Sequence, residues 1–188
     1  MKTSEIFEQI VAKNIKRDGI NDLMEFIRTS DFYEAPGSTK YHNAEYGGLT
    51  EHSIEVYDNL FKLKTRFDLS QYSDETLTIV SLFHDLCKTN FYKESFRNVK
   101  DSSGNWTKVA TFVVDDQFPI GHSEKTVIML MKYIKLTDEE IMAIRWHMGT
   151  SDLVAQSYIG GCTLTTAEQN CKLISYLHLA DFIATKGL

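Results

Sequence analysis

Four histidines and one aspartate fall on the apolar faces of predicted helices, where side chains are normally buried. They are His52, His84, His122, His147 and Asp181. Burying a charged group without a partner costs several kcal/mol. Any single one of these residues is explained well enough as a core side chain that is hydrogen-bonded to a carbonyl or a carboxylate. Five of them on the inward faces of successive helices favour a metal site, because a cation neutralises the carboxylate and accepts the imidazole lone pairs.

The dipeptide His84-Asp85 adds a second carboxylate to this set. Adjacent residues on an α-helix diverge by about 100°. The two side chains therefore reach a common ion only if it lies at the edge between their directions. A carboxylate with two oxygens could also bridge two ions. The alternative is that Asp85 only orients His84 or faces solvent, since the dipeptide alone is a weak signal.

Apolar residues at helical spacing predict the elements that must position these groups. Ser73, followed by two acidic residues, is an N-cap signal for the helix that carries the His-Asp pair. The predicted helices span residues 3–17, 20–28, 49–67, 74–88, 122–134, 138–147 and 165–185. Residues 31–48 and 150–164 are predicted to be irregular, and 91–120 contain two strand-like stretches around the turn-forming sequence DSSGN. This order predicts an all-α domain with a small inserted β-hairpin.

Length and composition limit the number of domains, the kind of partner and the cellular location. The chain has 188 residues, of which 43% are hydrophobic, and this fits one globular domain over residues 1–188. The net charge of −6 disfavours a broad basic surface for long nucleic acids. The three cysteines form no C-x-x-C pair, the first residues show no secretory signal, and no apolar run approaches the roughly 20 residues that span a bilayer. We therefore expect a cytoplasmic protein with no membrane partner, and the sequence leaves its oligomeric state open.

The ordered set of ligand candidates resembles the HD-domain superfamily of metal-dependent phosphohydrolases. The matching stretches are GGLTEHS with His52, FHDLCK with His84 and Asp85, and LADFIA with Asp181. The stretches IGHSEK with His122 and RWHMG with His147 match the subgroup that has two further histidines and binds two metal ions. The resemblance covers about residues 45–185 and implies an α-helical HD-domain bundle. Residues 1–44 and the hairpin at 91–120 lie outside this core pattern and look like the small single-domain HD hydrolases of bacteria and phages.

The resemblance implies a centre of two ions and a reaction. His52, His84, Asp85 and Asp181 would hold the first ion, and Asp85, His122 and His147 would hold the second, with Asp85 as the bridge. Ligands rich in imidazole favour Fe, Mn, Zn, Co or Ni over Mg or Ca. The implied nucleophile is a water with a lowered pKa, which attacks phosphorus in line. The implied reaction cleaves a phosphoester or phosphoanhydride of a small substrate, a nucleotide or a dinucleotide.

Cationic side chains near the ions are expected to bind the phosphoryl oxygens. Lys88 matches the phosphate-contacting lysine of the family, so Asp85 and Lys88 are the implied catalytic residues; an ordinary lysine at a helix C-terminus is the alternative for Lys88. Arg145 and Lys125 are further candidates for substrate binding, and a surface position is the alternative for each. Cys87 stands where family members often have glycine, and we interpret it as a small core residue rather than a ligand or redox group.

The hairpin connects two of the ligand helices, so both of its ends should lie near the site. Trp106, Phe112 and Phe118 are candidates for stacking on a base or closing a pocket. The alternative is a hairpin that packs on the bundle or mediates a dimer. His178, one turn before the final ligand, is either a hydrogen-bond partner of that carboxylate or a packed histidine. His42, in the loop before the first ligand helix, is interpreted as a surface residue.

Two other functions stay open. The same chemistry could act on short single-stranded nucleic acid, although exonuclease relatives usually carry a separate nucleic-acid-binding domain for which this chain has no room. Nucleic acid is therefore not the expected partner. The chain could also be a non-catalytic HD module that binds a metal or a ligand. Retention of the six candidate ligands together with Lys88 argues against that function.

Overall fold

The computed structural model describes residues 1–40 and 43–187, and within these ranges the protein is mostly helical. The eight helices of these ranges are α1 (Thr3–Asn14), α2 (Ile20–Thr29), α3 (Gly48–Phe67), α4 (Asp74–Phe83), α5 (His122–Met131), α6 (Asp138–Trp146), α7 (Tyr158–Asn170) and α8 (Leu173–Lys186). The two strands are β1 (Tyr92–Lys100) and β2 (Trp106–Val114). The predicted helical fold with a small antiparallel hairpin is thus confirmed. No helix in the described ranges combines the length and the apolar character needed to cross a bilayer.

Helices α3, α4, α6 and α8 form the centre of the fold. Helix α3 packs against α4 and α8, and α6 packs against the same two helices. The buried residues Val56, Leu60, Leu77, Ile144 and Leu177 belong to this core. Helix α1 lies on α3 and α4, and α5 lies on α6. Burial of a large aliphatic side chain contributes about 1.5–3 kcal/mol, so this core is the frame that holds the buried polar groups in place.

The helix starts follow the local sequence closely. The hydroxyl of Ser73 accepts a hydrogen bond from the backbone N–H of Thr76 at 3.0 Å and caps α4, as predicted. At the start of α6, Thr137 and Glu140 form a reciprocal capping box. Such caps satisfy backbone N–H groups that the first turn of a helix leaves without partners.

Three of the predicted segments differ from the structure. Helix α4 ends at Phe83 instead of continuing to residue 88, and a short 3₁₀ turn, Leu86–Lys88, follows. Residues 150–164 are only partly irregular, because α7 begins at Tyr158. Gly160 lies inside this helix, where a Cβ would lie 1.8 Å from the carbonyl oxygen of Val154. The predicted last helix is consequently two helices, separated by an extended residue at Cys171.

The hairpin leaves the helical bundle after a short contact at its base. Tyr92 pairs with Val114 at the base and Lys100 pairs with Trp106 at the turn. In the turn, the carboxylate of Asp101 accepts backbone hydrogen bonds from residues 103 and 105. Near the base, the ring of Phe112 packs on Tyr46 at 5.2 Å between centroids.

Candidate metal centre

The six candidate ligands come from five elements of the bundle and meet in one place. His52 lies near the start of α3 and Asp181 lies in α8, whereas His122 is the first residue of α5. His84 and His147 are the residues that end α4 and α6. The imidazole rings lie side by side, with centroids 5.3 Å apart for His52 and His84, 5.0 Å for His84 and His147, and 5.3 Å for His122 and His147. The side chains of His84 and His147 are almost completely buried, at 0% and 1% exposure.

The end of α4 explains how two adjacent residues face the same point. His84 keeps helical torsion angles, but Asp85 leaves the helix with φ −107° and ψ 18°. The 100° divergence expected on a continuous helix therefore does not apply to this pair. Nε2 of His84 lies 3.5 Å from Oδ2 of Asp85.

The carboxylate of Asp85 lies at the centre of the cluster, and its two oxygens face different histidines. Oδ2 lies 3.7 Å from Nε2 of His52 and 3.5 Å from Nε2 of His84. Oδ1 lies 2.9 Å from Nε2 of His122 and 3.9 Å from Nε2 of His147. Asp181 joins the first group, with Oδ1 3.1 Å from Nε2 of His52. Two ligand atoms that each lie about 2.1 Å from one ion stand about 3.0–3.5 Å apart, which is close to most of these separations.

Several buried atoms of the cluster lack the hydrogen bonds that burial normally requires. Nδ1 of His84 lies 2.8 Å from the carbonyl oxygen of Ser81, and Nδ1 of His147 lies 2.7 Å from that of Ile144. A carbonyl only accepts, so Nδ1 carries the proton in both rings and Nε2 carries a lone pair. Both Nε2 atoms are buried without a hydrogen bond, and the neighbour closest to Oδ1 of Asp85 is Nε2 of His122, at 2.9 Å.

These lone pairs point at a carboxylate that also can only accept. Acceptors that face acceptors in a dry interior cost free energy unless a cation lies between them. The residues therefore fit a bound metal ion. Two groups have ligand atoms within 4.8 Å of one another, His52 with His84 and Asp85, and His84 with His147 and Asp181; Asp85 and His122 form a third such group together with Cys87. Neutral imidazoles with carboxylates form a donor set that suits first-row transition metals.

The electrostatic environment keeps two of the imidazoles and both carboxylates in the forms that bind a cation, whereas His122 is protonated at pH 7. Burial lowers the pKa of His147 to about 3 and also lowers the pKa of His84, so both rings are neutral at pH 7. Burial acts to raise the pKa of Asp85, but Lys88 and the nearby histidines hold it well below its usual range. The hydrogen bond from His52 likewise outweighs burial and lowers the pKa of Asp181. For His122, burial acts to lower the pKa, but Cys87 and Asp85 raise it to about 10.

A cleft of about 640 Å³ opens directly onto the cluster. His52, Asp85, His122 and Asp181 lie at its polar end, together with Lys88. Apolar side chains line another part of the wall: Ile120, Met148, Leu153 and Val154. Within the described residues, Lys88 is the only lysine or arginine that lines this cleft. The sequence patterns gave no sign of the apolar wall, because most of it belongs to irregular segments without hydrophobic periodicity.

Lys88 lies at the predicted place beside the cluster. Its ammonium group is 2.7 Å from Oδ2 of Asp85 and donates a hydrogen bond to the carbonyl oxygen of Gly37 at 2.7 Å. An ammonium has three N–H donors, so one remains for a group in the cleft. Burial acts to lower the pKa of Lys88, but the carboxylate of Asp85 outweighs it and raises the pKa above its usual value.

Arg145, predicted to bind substrate, does not line the cleft and instead holds two parts of its wall together. Nη2 lies 2.7 Å from Oε1 of Glu124, and Nη1 lies 2.7 Å from Oδ2 of Asp152. The other carboxylate oxygen of Asp152 accepts the backbone N–H of Val154 at 2.7 Å. The guanidinium also stacks on Trp146 at 4.0 Å from the ring centroid. Because both of its carboxylate partners line the cleft, Arg145 fixes the wall segment that follows α6.

The other predicted substrate contacts also lie outside the cleft lining. Lys125 is buried in an ion pair with Asp116 and lies 4.9 Å from the ring centroid of Phe91, so it ties the end of the hairpin to α5. Trp106 lies at the turn end of the hairpin and is 68% exposed. Phe118 is partly exposed beside Lys132.

Two further histidines complete the comparison with the sequence. His178 does not contact the final aspartate; its Nδ1 lies 2.6 Å from the backbone carbonyl of His147. Its ring also packs on Gly149, where a Cβ would lie 3.1 Å away. His178 thus supports the turn that follows the candidate ligand His147. His42 lies outside the residues that the structure describes.

Cys87 is the residue whose position near the site the sequence interpretation did not anticipate. Its side chain is buried, and Sγ lies 3.1 Å from Nδ1 of His122. Its position three residues after His84 places it on the inward side of the chain, which is the one local signal that could have suggested this contact.

Comparison of the chain with protein-family models, with curated proteins and with solved structures finds no match.

Proposed function

We propose that the protein is a metal-dependent phosphohydrolase with an HD-type helical bundle, which cleaves a phosphoester or phosphoanhydride of a small nucleotide or dinucleotide. The main support is the set of buried acceptors around Asp85. Nε2 of His84 and Nε2 of His147 approach a carboxylate without a proton between them. Binding of a cation stabilises a protein that buries such a cluster, because the cation compensates the buried lone pairs and the buried negative charge.

The division of the histidines between the two oxygens of Asp85 supports a centre for two ions. His52, His84 and Asp181 lie on the Oδ2 side, and His122 and His147 lie on the Oδ1 side. This division agrees with the two ligand sets that the resemblance implies. Asp85 would then bridge the ions, and its substitution should damage both halves of the centre.

In the proposed reaction, the metal ions and the residues around the cleft have different roles. When bound, transition-metal ions supply Lewis-acid activation of a water nucleophile and of the phosphoryl group. The third N–H of Lys88 binds a phosphoryl oxygen and stabilises the negative charge that grows on it. The apolar wall, with Met148 and Leu153, holds the remainder of the substrate and excludes water. A cleft of about 640 Å³ with one lysine suits a small substrate with few phosphates.

The decisive experiment combines metal analysis with turnover. The chain is freed of metal with a chelator, reloaded separately with Mn, Fe, Co, Ni, Zn or Mg, and assayed on a panel of nucleotides and dinucleotides. We expect about two transition-metal ions per chain and hydrolysis that requires them. Asp85→Ala should abolish hydrolysis and leave the circular dichroism spectrum helical. Asp58→Ala, on the exposed side of α3, is the matched control and should keep full turnover.

Two results would contradict the proposal. Hydrolysis by Asp85→Ala at the wild-type rate would remove the cluster from the reaction. Absence of bound metal after every reconstitution would remove the centre itself. Stoichiometric metal without turnover of any phosphorylated compound would instead favour the non-catalytic module.

The outer part of the hairpin favours a second candidate substrate, short single-stranded nucleic acid. Phe96, Lys100, Trp106 and Lys108 share one face of the hairpin because they occupy alternate or directly paired positions. Both aromatic rings are more than 60% exposed, at 67% for Phe96 and 68% for Trp106. Aromatic rings on a basic surface stack on bases, at about 1–3 kcal/mol per base.

Fluorescence anisotropy with labelled oligonucleotides tests this candidate. If nucleic acid is the substrate, the double variant Phe96→Ala and Trp106→Ala should weaken a salt-sensitive interaction at least tenfold. Tyr158→Ala removes another exposed aromatic side chain, on α7, and should have no effect. If the wild-type protein binds no oligonucleotide, the small nucleotide remains the proposed substrate.

A further inference from the structure

The ligand histidines at the helix ends are oriented through their second ring nitrogen. Nδ1 of His84 and Nδ1 of His147 each lie against a carbonyl oxygen three residues earlier in their own helix, at 2.8 Å and 2.7 Å. Each contact fixes the ring and directs Nε2 toward Asp85. Such partners of a metal-binding imidazole set its tautomer and its orientation.

His122 cannot use the same device, because it begins its helix instead of ending it. It is the first residue of α5, and the preceding Gly121 has a positive φ of 97°, with ψ 155°, a conformation that favours glycine. No helical turn precedes it that could offer a carbonyl oxygen to Nδ1. The partner of Nδ1 is instead the sulfur of Cys87, at 3.1 Å, from the 3₁₀ turn that follows Asp85.

The position of this sulfur is itself fixed. The backbone N–H of Cys87 donates a hydrogen bond to Oγ1 of Thr126 at 3.2 Å. Thr126 lies one turn after His122 on α5, so the turn with Cys87 is joined to α5 at two points. The side chain of Cys87 is 3% exposed, which leaves no room for the sulfur to move away into solvent.

We infer that Cys87 is a positioning residue, whose sulfur accepts the Nδ1 proton of His122 and so directs Nε2 toward Oδ1 of Asp85. The two nitrogens of an imidazole point in diverging directions, so a sulfur held on Nδ1 acts on the cluster through His122. Sγ also lies within 4.8 Å of ligand atoms of Asp85 and His122, and the spectrum of the cobalt-loaded protein distinguishes the two roles. Only the Oδ1 side of the cluster depends on this contact. The inference rests on the proposed metal centre, but it does not require that the centre hydrolyse phosphate esters.

The test compares three variants by metal titration. Cys87→Ala removes the acceptor, Cys87→Ser replaces sulfur with a hydroxyl that can also accept, and Cys171→Ala is the control at a buried cysteine that contacts the carbonyl of Glu139. Loss of such a partner typically costs 10–100-fold in metal affinity. We expect Cys87→Ala to weaken one of the two ions by this factor and to leave the other unchanged. Cys87→Ser should recover most of the loss, and Cys171→Ala should bind both ions like the wild type.

The absorption spectrum of the cobalt-loaded protein separates positioning from ligation. An indirect role predicts cobalt bands without a sulfur-to-cobalt charge-transfer transition in the near ultraviolet. Such a transition in the wild type that disappears in Cys87→Ser would overturn the inference, since Cys87 would then be a ligand. Wild-type affinity for both ions in Cys87→Ala would overturn it as well. Wild-type protein that binds two ions but hydrolyses nothing would refute only the proposed reaction, whereas protein that binds no ion would refute both.

Discussion

Replacing His147 with leucine should invert the order of stability between wild type and variant, depending on whether metal is present. His147 is 0% exposed, and its Nε2 is buried without a hydrogen bond. An unsatisfied buried polar atom costs about 1–3 kcal/mol, and the hydrogen bond between Nδ1 and the carbonyl of Ile144 contributes about 1 kcal/mol. Leucine has a similar volume and removes both. Without metal, we therefore expect His147→Leu to be as stable as the wild type or about 1 kcal/mol more stable.

With metal bound, the difference in stability should have the opposite sign, so that the wild type is more stable than His147→Leu. A ligand present at 100 times its Kd stabilises the native state by about 2.7 kcal/mol. For a chain of this size, 1 kcal/mol corresponds to about 2–4 °C in Tm, so the wild type should gain roughly 5–11 °C. His147→Leu loses one ligand of the Oδ1 side and should gain markedly less. His147→Leu would then be at least as stable as the wild type without metal and less stable than the wild type with metal.

Urea denaturation followed by far-ultraviolet circular dichroism measures this effect, once with chelator and once with Mn²⁺ at 100 times the wild-type Kd. The control is Thr78→Val in α4, which removes a buried hydroxyl bonded to the carbonyl of Asp74 at 2.6 Å. It should lower the free energy of unfolding equally in both conditions. A loss of stability for His147→Leu that is the same with chelator and with metal would refute the reasoning, because His147 would then be an ordinary core residue.

Two other substitutions and one deletion test the helical core, the cleft wall and the hairpin. Arg17→Met should lower the free energy of unfolding, measured in urea, by about 3–5 kcal/mol, because it leaves the fully buried carboxylate of Glu140 without its guanidinium partner at 2.5 Å and 3.0 Å. The control Arg28→Met breaks an exposed ion pair and should cost less than about 1 kcal/mol. Equal losses in the two variants would contradict this expectation. Arg145→Gln should raise KM several-fold and speed amide hydrogen exchange in the following loop, with metal content unchanged; slow exchange in that loop would show that Arg145 does not hold the wall. Deletion of the hairpin tip at 102–105 should change the preference between mononucleotides and dinucleotides more than metal content, and the reverse result would make the hairpin a structural element.

Local sequence patterns were sufficient to predict the structural elements that depend on residues nearby in the chain. The cap at Ser73, the apolar stripe of α3 and the turn at 101–105 are determined by residues within one or two turns of the chain, and each is found where the sequence predicts it. The inward placement of the four histidines that are candidate ligands also follows from periodicity, because one face of an amphipathic helix must be buried.

Tertiary contacts decided the features that depend on distant residues. Helix periodicity cannot show that α4 stops at the His-Asp pair, which is what lets Asp85 lie among four histidines from four elements. The partners of Arg145 and the contact between Cys87 and His122 join residues that are far apart in sequence or on different elements. The sequence by itself therefore determined which side chains face inward, and only the packing of the helices decided which of them meet, because the distance between two buried groups depends on every contact that holds their helices together.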